Sequence, residues 1–207
     1  MGRTSDARER IIESAVELFH SRTAGGVGVQ EICQHASVKK GSFYHFFSSK
    51  QDLILATLDR NWDDVQKHLW EPAFAQTLRP LQRIEKFAEL LYHFSAREKR
   101  RSGQIRGCKF GNIAAEMSAQ DATVRQKVNA IFDKAVAYLR SALDDAVALG
   151  DLPPLDTGKA AQALWAYLEG CFLIAKSQQD PKVLRQLTQT AIQLLSALGR
   201  KAPVKRA

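Results

Sequence analysis

Two stretches of this 207-residue chain carry side chains with chemistry to do. The first is Lys39–Lys50, KKGSFYHFFSSK: two lysines, a Gly-Ser turn, a cluster of aromatics and a third lysine. Phe43 and Phe47 stand four apart and share one face of a helix. Ser42, Tyr44 and His45 then point elsewhere. A short helix with an aromatic inner face and a basic, hydrogen-bonding outer face suits a polyanion, and we read it as a helix that enters duplex DNA. The second stretch is Arg106–Asn112, RGCKFGN. Cys108 lies between two cationic side chains and at, or just before, a helix N-terminus, and both features favour the reactive thiolate. Alkylation or oxidation is the chemistry such a thiol offers; packing as a small apolar residue or lining a pocket is the plainer alternative.

Composition bounds the rest. An apolar content of 45% is enough for a sizeable core, and a formal net charge of +8 suits an acidic partner. Placement says more than the total: residues 97–109 carry six basic side chains against one acidic, whereas residues 1–50 carry seven against five. No apolar run approaches the roughly 20 residues that span a bilayer. The polar start, MGRTSDARERII, has no signal-peptide core. Three cysteines, Cys33, Cys108 and Cys171, make no disulfide framework, and no Cys-His spacing suggests zinc. We therefore expect a cytoplasmic protein with no metal, no cofactor and no membrane contact.

The elements that must position these residues read as helices throughout, with no alternating strand pattern. The spacing predicts a first helix from Thr4 or Ser5, with Ala7, Ile11, Ala15, Leu18 and Phe19 as its buried stripe, stopping at the glycine loop 23–28. A short second helix, from about Val29 to Ala36, turns Ile32 and Cys33 inward. The third is the lysine-aromatic stretch, ended by Phe47. A Ser48-x-x-Gln51 capping box launches a fourth, reaching Trp70 and closed by Pro72. A fifth runs from Leu78 to Arg100 with Pro80 in its first turn. The sixth covers Asn112 to Ser118, or begins at Cys108. Asp121 caps a seventh to Leu149, Asp156 or Thr157 an eighth to Gln178, and Asp180-Pro181 a ninth to Leu198. The expected fold class is all-α with about nine helices: a three-helix DNA-binding domain at 1–50, a helical ligand-binding and dimerisation domain at 51–199, and a disordered basic tail at 200–207. The eighth and ninth helices are apolar nearly all round and need cover on both sides. A second copy supplies it, giving a four-helix homodimer interface with Leu164, Leu168, Cys171, Leu187, Ala191 and Leu194.

From Ile11 to Leu53 the motifs and their order resemble the DNA-binding domain of TetR-type transcriptional regulators. They are Ala-x-x-Leu-Phe at Ala15–Phe19, the loop Gly25–Gly28, Ile32, Gly-Ser-Phe-Tyr-x-x-Phe at Gly41–Phe47, and Ser-Lys-x-x-Leu at Ser49–Leu53. The resemblance implies a helix-turn-helix whose third helix enters the major groove. It also implies a homodimer on a pseudo-palindromic operator and a small-molecule inducer bound in the C-terminal domain. Two positions depart from the pattern: Gly28 and Lys39 stand where a capping hydroxyl is usual. Lys39 and Lys40 then serve phosphates at some cost in helix stability. On this frame Lys40, Lys50 and Tyr44 take phosphates, with the free N–H groups of the fourth helix adding to Lys50. Gln30, Ser42 and His45 reach base edges beside Gly41, and Arg3 and Thr4 hold the flanking backbone.

Gly-Cys-x-x-Gly-Asn at 107–112 is similar to a subset of these regulators that respond to electrophiles or oxidants, which implies that Cys108 is a sensor. Lys176, late in the eighth helix, is a further candidate beside this loop, the plainer reading being a solvent-facing lysine. Asn112, Glu116, Trp165 and Glu169, with Tyr92 and His93, are candidate polar groups of a pocket walled by Phe110, Phe132 and Phe172, suited to an apolar or aromatic ligand with one or two polar groups. The expected function is a repressor released from DNA by a small-molecule inducer or by modification of Cys108. Two other readings stay open. One is a cysteine-dependent enzyme, for which the sequence offers no convincing base and orienting group. The other is a DNA-binding protein with no inducer.

Overall fold

The computed structural model describes residues 2–198, with side chains described for 6–194. All regular structure among them is helical. Helix α1 spans Gly2–Ser21, α2 Val29–His35, α3 Lys40–Phe46 and α4 Lys50–Val65, which continues through a π-helical turn, Gln66–Trp70, and a last turn, Glu71–Ala73. Then come α5 Pro80–Ser102, α6 Lys109–Met117, α7 Ala122–Ala148, α8 Thr157–Gln178 and α9 Lys182–Leu198. No helix among the described residues is long and apolar enough to cross a membrane.

The chain forms two compact units. Met1–Val65 and Cys108–Ile131 make the first; Gln66–Gly107 and Phe132–Ala207 make the second. The expected division after residue 50 does not coincide with this grouping. Polar pairs along α4 explain why. Gln51 donates to Asp121 at 2.6 Å, Asp59 meets Lys127 at 2.5 Å, and Asn61 accepts from Lys109 at 3.0 Å. Trp62 also packs beside Phe110, ring centroids 6.4 Å apart. So α4, α6 and the start of α7 belong with α1–α3. The tail expected to be disordered, 200–207, lies outside the described residues.

In the first unit α1 packs against α2, α3 and α4. Its buried positions are Ile11, Ile12, Ser14, Ala15 and Phe19. Ala7 and Leu18, placed in the stripe from sequence, are only half-buried. Between α2 and α3 the chain reverses on Ser37, whose φ of 53° is left-handed. Val38 N–H bonds back to the Cys33 carbonyl at 2.9 Å and Ser37 N–H to Gln34 at 3.1 Å, the paired closure that ends a helix sharply. The cap of α4 sits one residue later than expected. Ser49 Oγ accepts from Asp52 N–H at 3.0 Å, and Ser48 Oγ donates to the Asp52 carboxylate. That hydroxyl, with Ser49 and the local amides, holds the Asp52 carboxyl below its ordinary value. Gln51 is thereby free to reach Asp121.

In the second unit the α4 extension widens into its π turn just before Pro72. That ring has no N–H to give and crowds the carbonyl four residues back, a standard cause of such a distortion. Proline at the first position starts α5, and Gly103 at φ 77° ends it. Asp156 Oδ1 caps α8 by accepting from Lys159 N–H at 3.0 Å. The core is an aromatic cluster: Trp70 stacks on Tyr138 at 5.2 Å and lies 4.1 Å from Phe87 and 6.0 Å from Trp165. Burial of each such ring contributes about 2–3 kcal/mol. Around it, α9 packs on α8 and α5.

This packing corrects the expected dimer residues. Leu164, Leu168, Cys171 and Ala191 are at most 5% exposed, covered by the chain's own helices and not left open for a second copy. Leu187 is half-buried, and its carbonyl accepts from the Tyr167 hydroxyl at 2.9 Å. Of the six only Leu194, 55% exposed, faces out. The outer face of α8 carries Ala163, Ala166, Leu173 and Ile174 instead, at helical spacing.

Candidate nucleic-acid interface and sensor

Helix α3 is anchored by Phe43, fully buried, and by Phe47, whose rings lie 5.7 Å apart. Phe46, between them in sequence, is only half-buried. Tyr44 is 52% exposed and stands edge-on to Phe43, with the Lys40 ammonium 5.9 Å from its ring centre. Lys39, Lys40, Gly41 and His45 are also exposed, Ser42 is half-buried, and Gln30 is exposed on the first turn of α2. Neither Gly28 nor Lys39 makes a side-chain cap, which leaves the first amides of α2 and α3 without a side-chain partner. Seven of the residues expected at DNA thus lie on α2, α3 and the residue before α3. The side chains of Arg3 and Thr4 lie outside the described residues.

The glycine loop between α1 and α2 gathers the side chains that hold this arrangement. Glu116, from the end of α6, accepts from the amides of Ala24 at 2.9 Å and Gly25 at 2.5 Å. Lys50 Nζ donates to the Gly25 carbonyl at 3.2 Å, and Arg22 donates to the Gly26 carbonyl at 3.3 Å while pairing with Glu31 on α2. Two sequence assignments change here. Lys50, expected at a phosphate, is turned into its own unit; burial pushes its pKa down, with Glu116 opposing. Glu116, expected in a ligand pocket, is a structural partner of the loop. Sequence reading missed Ala24, Gly25 and Arg22; the one available signal was an acidic residue at the wrong end of a short helix.

Cys108 is the N-cap of α6, half-buried, with its sulfur accepting from Gly111 N–H at 3.4 Å. An amide aimed at sulfur stabilises thiolate. Of the two flanking cations, Lys109 is drawn to Asn61 on α4. Phe110 is buried against Trp62, and Asn112 N–H bonds the Cys108 carbonyl at 2.9 Å. Trp165, Glu169 and Lys176 are carried by α8 in the second unit. There Gln179, itself left-handed at φ 53°, clamps the loop after α5: its side chain accepts from Ile105 N–H at 2.8 Å and donates to the carbonyls of Ile105 at 2.9 Å and Lys176 at 2.8 Å. The Trp165 indole lies against Phe132 at 5.4 Å, and its N–H is buried with no acceptor among the described residues. No cluster of His, Cys, Asp or Glu among the described residues could hold a metal.

Two family models match the chain: bacterial regulatory proteins of the tetR family at residues 11–57, and the tetracyclin repressor-like C-terminal domain at residues 80–191. The chain is 32% identical over 186 residues to the transcriptional regulator AcuR of Cereibacter sphaeroides, covering 89% of this chain and 83% of that one. It is 27% identical to the transcriptional repressor NemR of Escherichia coli, covering 77% and 80%. A solved regulatory protein TetR from Rhodobacter sphaeroides superposes with a TM-score of 0.80 at 30% identity, over 90% of this chain and 97% of that one.

Proposed function

The chain belongs to the TetR family of DNA-binding transcriptional regulators, and from that premise we propose a dimeric repressor that leaves its operator when a small molecule or an electrophile acts on it. Both matched families and the named relatives are regulators, not enzymes. The observation that carries the reading is the outward strip of α3: Lys40, Tyr44 and His45 exposed over a buried Phe43. In this reading Lys39, Lys40 and Tyr44 hold phosphates, while Gln30, Ser42 and His45 face base edges. The dimer forms through the outer face of α8 with Leu194 of α9. That pairing spaces two α3 helices about 34–36 Å apart, or a multiple.

Two features support a responsive second half. A buried indole N–H without an acceptor costs about 1–3 kcal/mol. A ligand oxygen that accepts from the Trp165 indole would remove that cost, which favours an aromatic or apolar compound with one acceptor. Cys108, half-buried at the head of α6, is the modifiable thiol. Any inducer must bind better to the conformation with misplaced α3 helices.

Selection of bound fragments from the source genome, followed by affinity measurement on a selected operator with and without N-ethylmaleimide, tests both parts. Recovery of a two-fold-related sequence that is released by the reagent in the wild type, and not in Cys108→Ser, is expected. No enriched fragment removes the DNA reading; equal release of the variant removes the thiol reading alone.

A further inference from the structure

We propose that Glu116 is a positioning residue through which α6 sets the helix-turn-helix for specific DNA. The proposal rests on the reading of this chain as a DNA-binding regulator, and not on the ligand or on Cys108.

Helix α6 spans only Lys109–Met117, and Glu116 lies in its last turn, where no basic side chain is present. A carboxylate there opposes the negative end of the helix dipole. Its placement therefore serves something other than α6. It reaches back 92 and 91 positions in sequence to take the amides of Ala24 and Gly25. Gly25 is the residue that makes this approach possible: a Cβ there would lie 2.8 Å from Glu116 Oε1. Its backbone does not require glycine, since its φ is outside the left-handed range. The need is for space beside a carboxylate.

The loop that Glu116 holds is tied at its other polar atoms as well. The Gly25 carbonyl takes Lys50 from the first turn of α4, and the Gly26 carbonyl takes Arg22, which also pairs with Glu31 on α2. The loop thus fixes the start of α2, and α2 fixes α3 through the closure at Ser37. A slide of α6 by one residue rise, about 1.5 Å, breaks both amide bonds to Glu116. It also takes from Lys50 the carboxylate beside it. Cys108 stands at the head of the same nine-residue helix, so a change there has a short, rigid route to the loop.

A tie that only adds stability and one that positions α3 differ in a measurable way. The first lowers specific and non-specific DNA binding together, by lowering the folded fraction. The second lowers the specific affinity alone. We expect Glu116→Ala, folded by circular dichroism, to lose about tenfold or more in operator affinity while binding random duplex within about twofold of wild type. Glu116→Gln, which keeps one acceptor, should fall between. Gly25→Ala, which pushes the carboxylate off without removing it, should reproduce the loss, and it decides the matter if Glu116→Ala does not fold. Amide exchange at Ala24 and Gly25 should quicken in both variants. Unchanged operator affinity, or proportional loss on both DNAs, overturns the proposal. If wild-type protein binds no selected operator, the function fails instead, and slow exchange at Ala24 and Gly25 that persists in Glu116→Ala still overturns the latch.

Discussion

Lys50 donates its ammonium to the Gly25 carbonyl, 3.2 Å away, and so turns away from the outer strip that carries Lys40 and Tyr44. The two lysines should therefore behave differently on DNA. Lys40→Ala should weaken binding to every sequence and reduce the slope of log affinity against log salt by about 1, the signature of one lost phosphate contact. Lys50→Ala should weaken operator binding without changing that slope, because it loosens the loop and leaves the phosphate contacts in place. Titrations at several salt concentrations separate the two.

Ser37 and Gln179 share a left-handed φ of 53° and should respond oppositely to glycine. Ser37 is exposed, and its side chain adds backbone strain that glycine removes. Ser37→Gly should stabilise by about 0.5–1 kcal/mol in urea unfolding. Gln179→Gly removes the same strain but also three side-chain hydrogen bonds to Ile105 and Lys176, and should destabilise by about 1–2 kcal/mol.

The three thiols should label at very different rates. Cys33 and Cys171 are 4% and 1% exposed; burial pushes the Cys33 thiol up, partly offset by Lys40, and pushes Cys171 up to about 11. At pH 8 only about one Cys171 in a thousand is thiolate, and its population rises only as pH approaches that value. A chromogenic disulfide should show one fast thiol in native protein, absent in Cys108→Ser, and two more on unfolding.

The sequence made the local features of this fold plain. Phe43 and Phe47 marked the inner face of α3 by spacing alone; Asp121 and Asp156 marked helix starts. What it hid depended on long-range geometry. Nothing about Glu116 says that its partners are at Ala24 and Gly25. The same limit applies to the residues expected at a dimer interface. Apolar periodicity on α8 flags Leu164, Leu168 and Cys171, but it cannot say that these face the chain's own core. The paler side of the helix, with Ala163, Ala166 and Leu173, was the one left uncovered.

That side gives the dimer test. Leu173 and Ile174 are 67% and 40% exposed, and Leu173→Glu should raise the dimer dissociation constant by about a hundredfold without loss of helicity. Leu164→Ala should do the reverse, costing about 2–5 kcal/mol of stability while leaving the folded protein dimeric. Sedimentation equilibrium and thermal unfolding read the two effects separately.

On the proposed function, operator choice rests on the side chains of α3. The direct measurement is the ratio of affinities for a selected operator and a scrambled duplex, in wild type and in His45→Ala. His45 is exposed beside Tyr44 on α3, and its loss should cut the ratio by about tenfold while affinity for the scrambled duplex holds. An unchanged ratio in His45→Ala, Ser42→Ala and Gln30→Ala alike would mean that another surface selects the DNA.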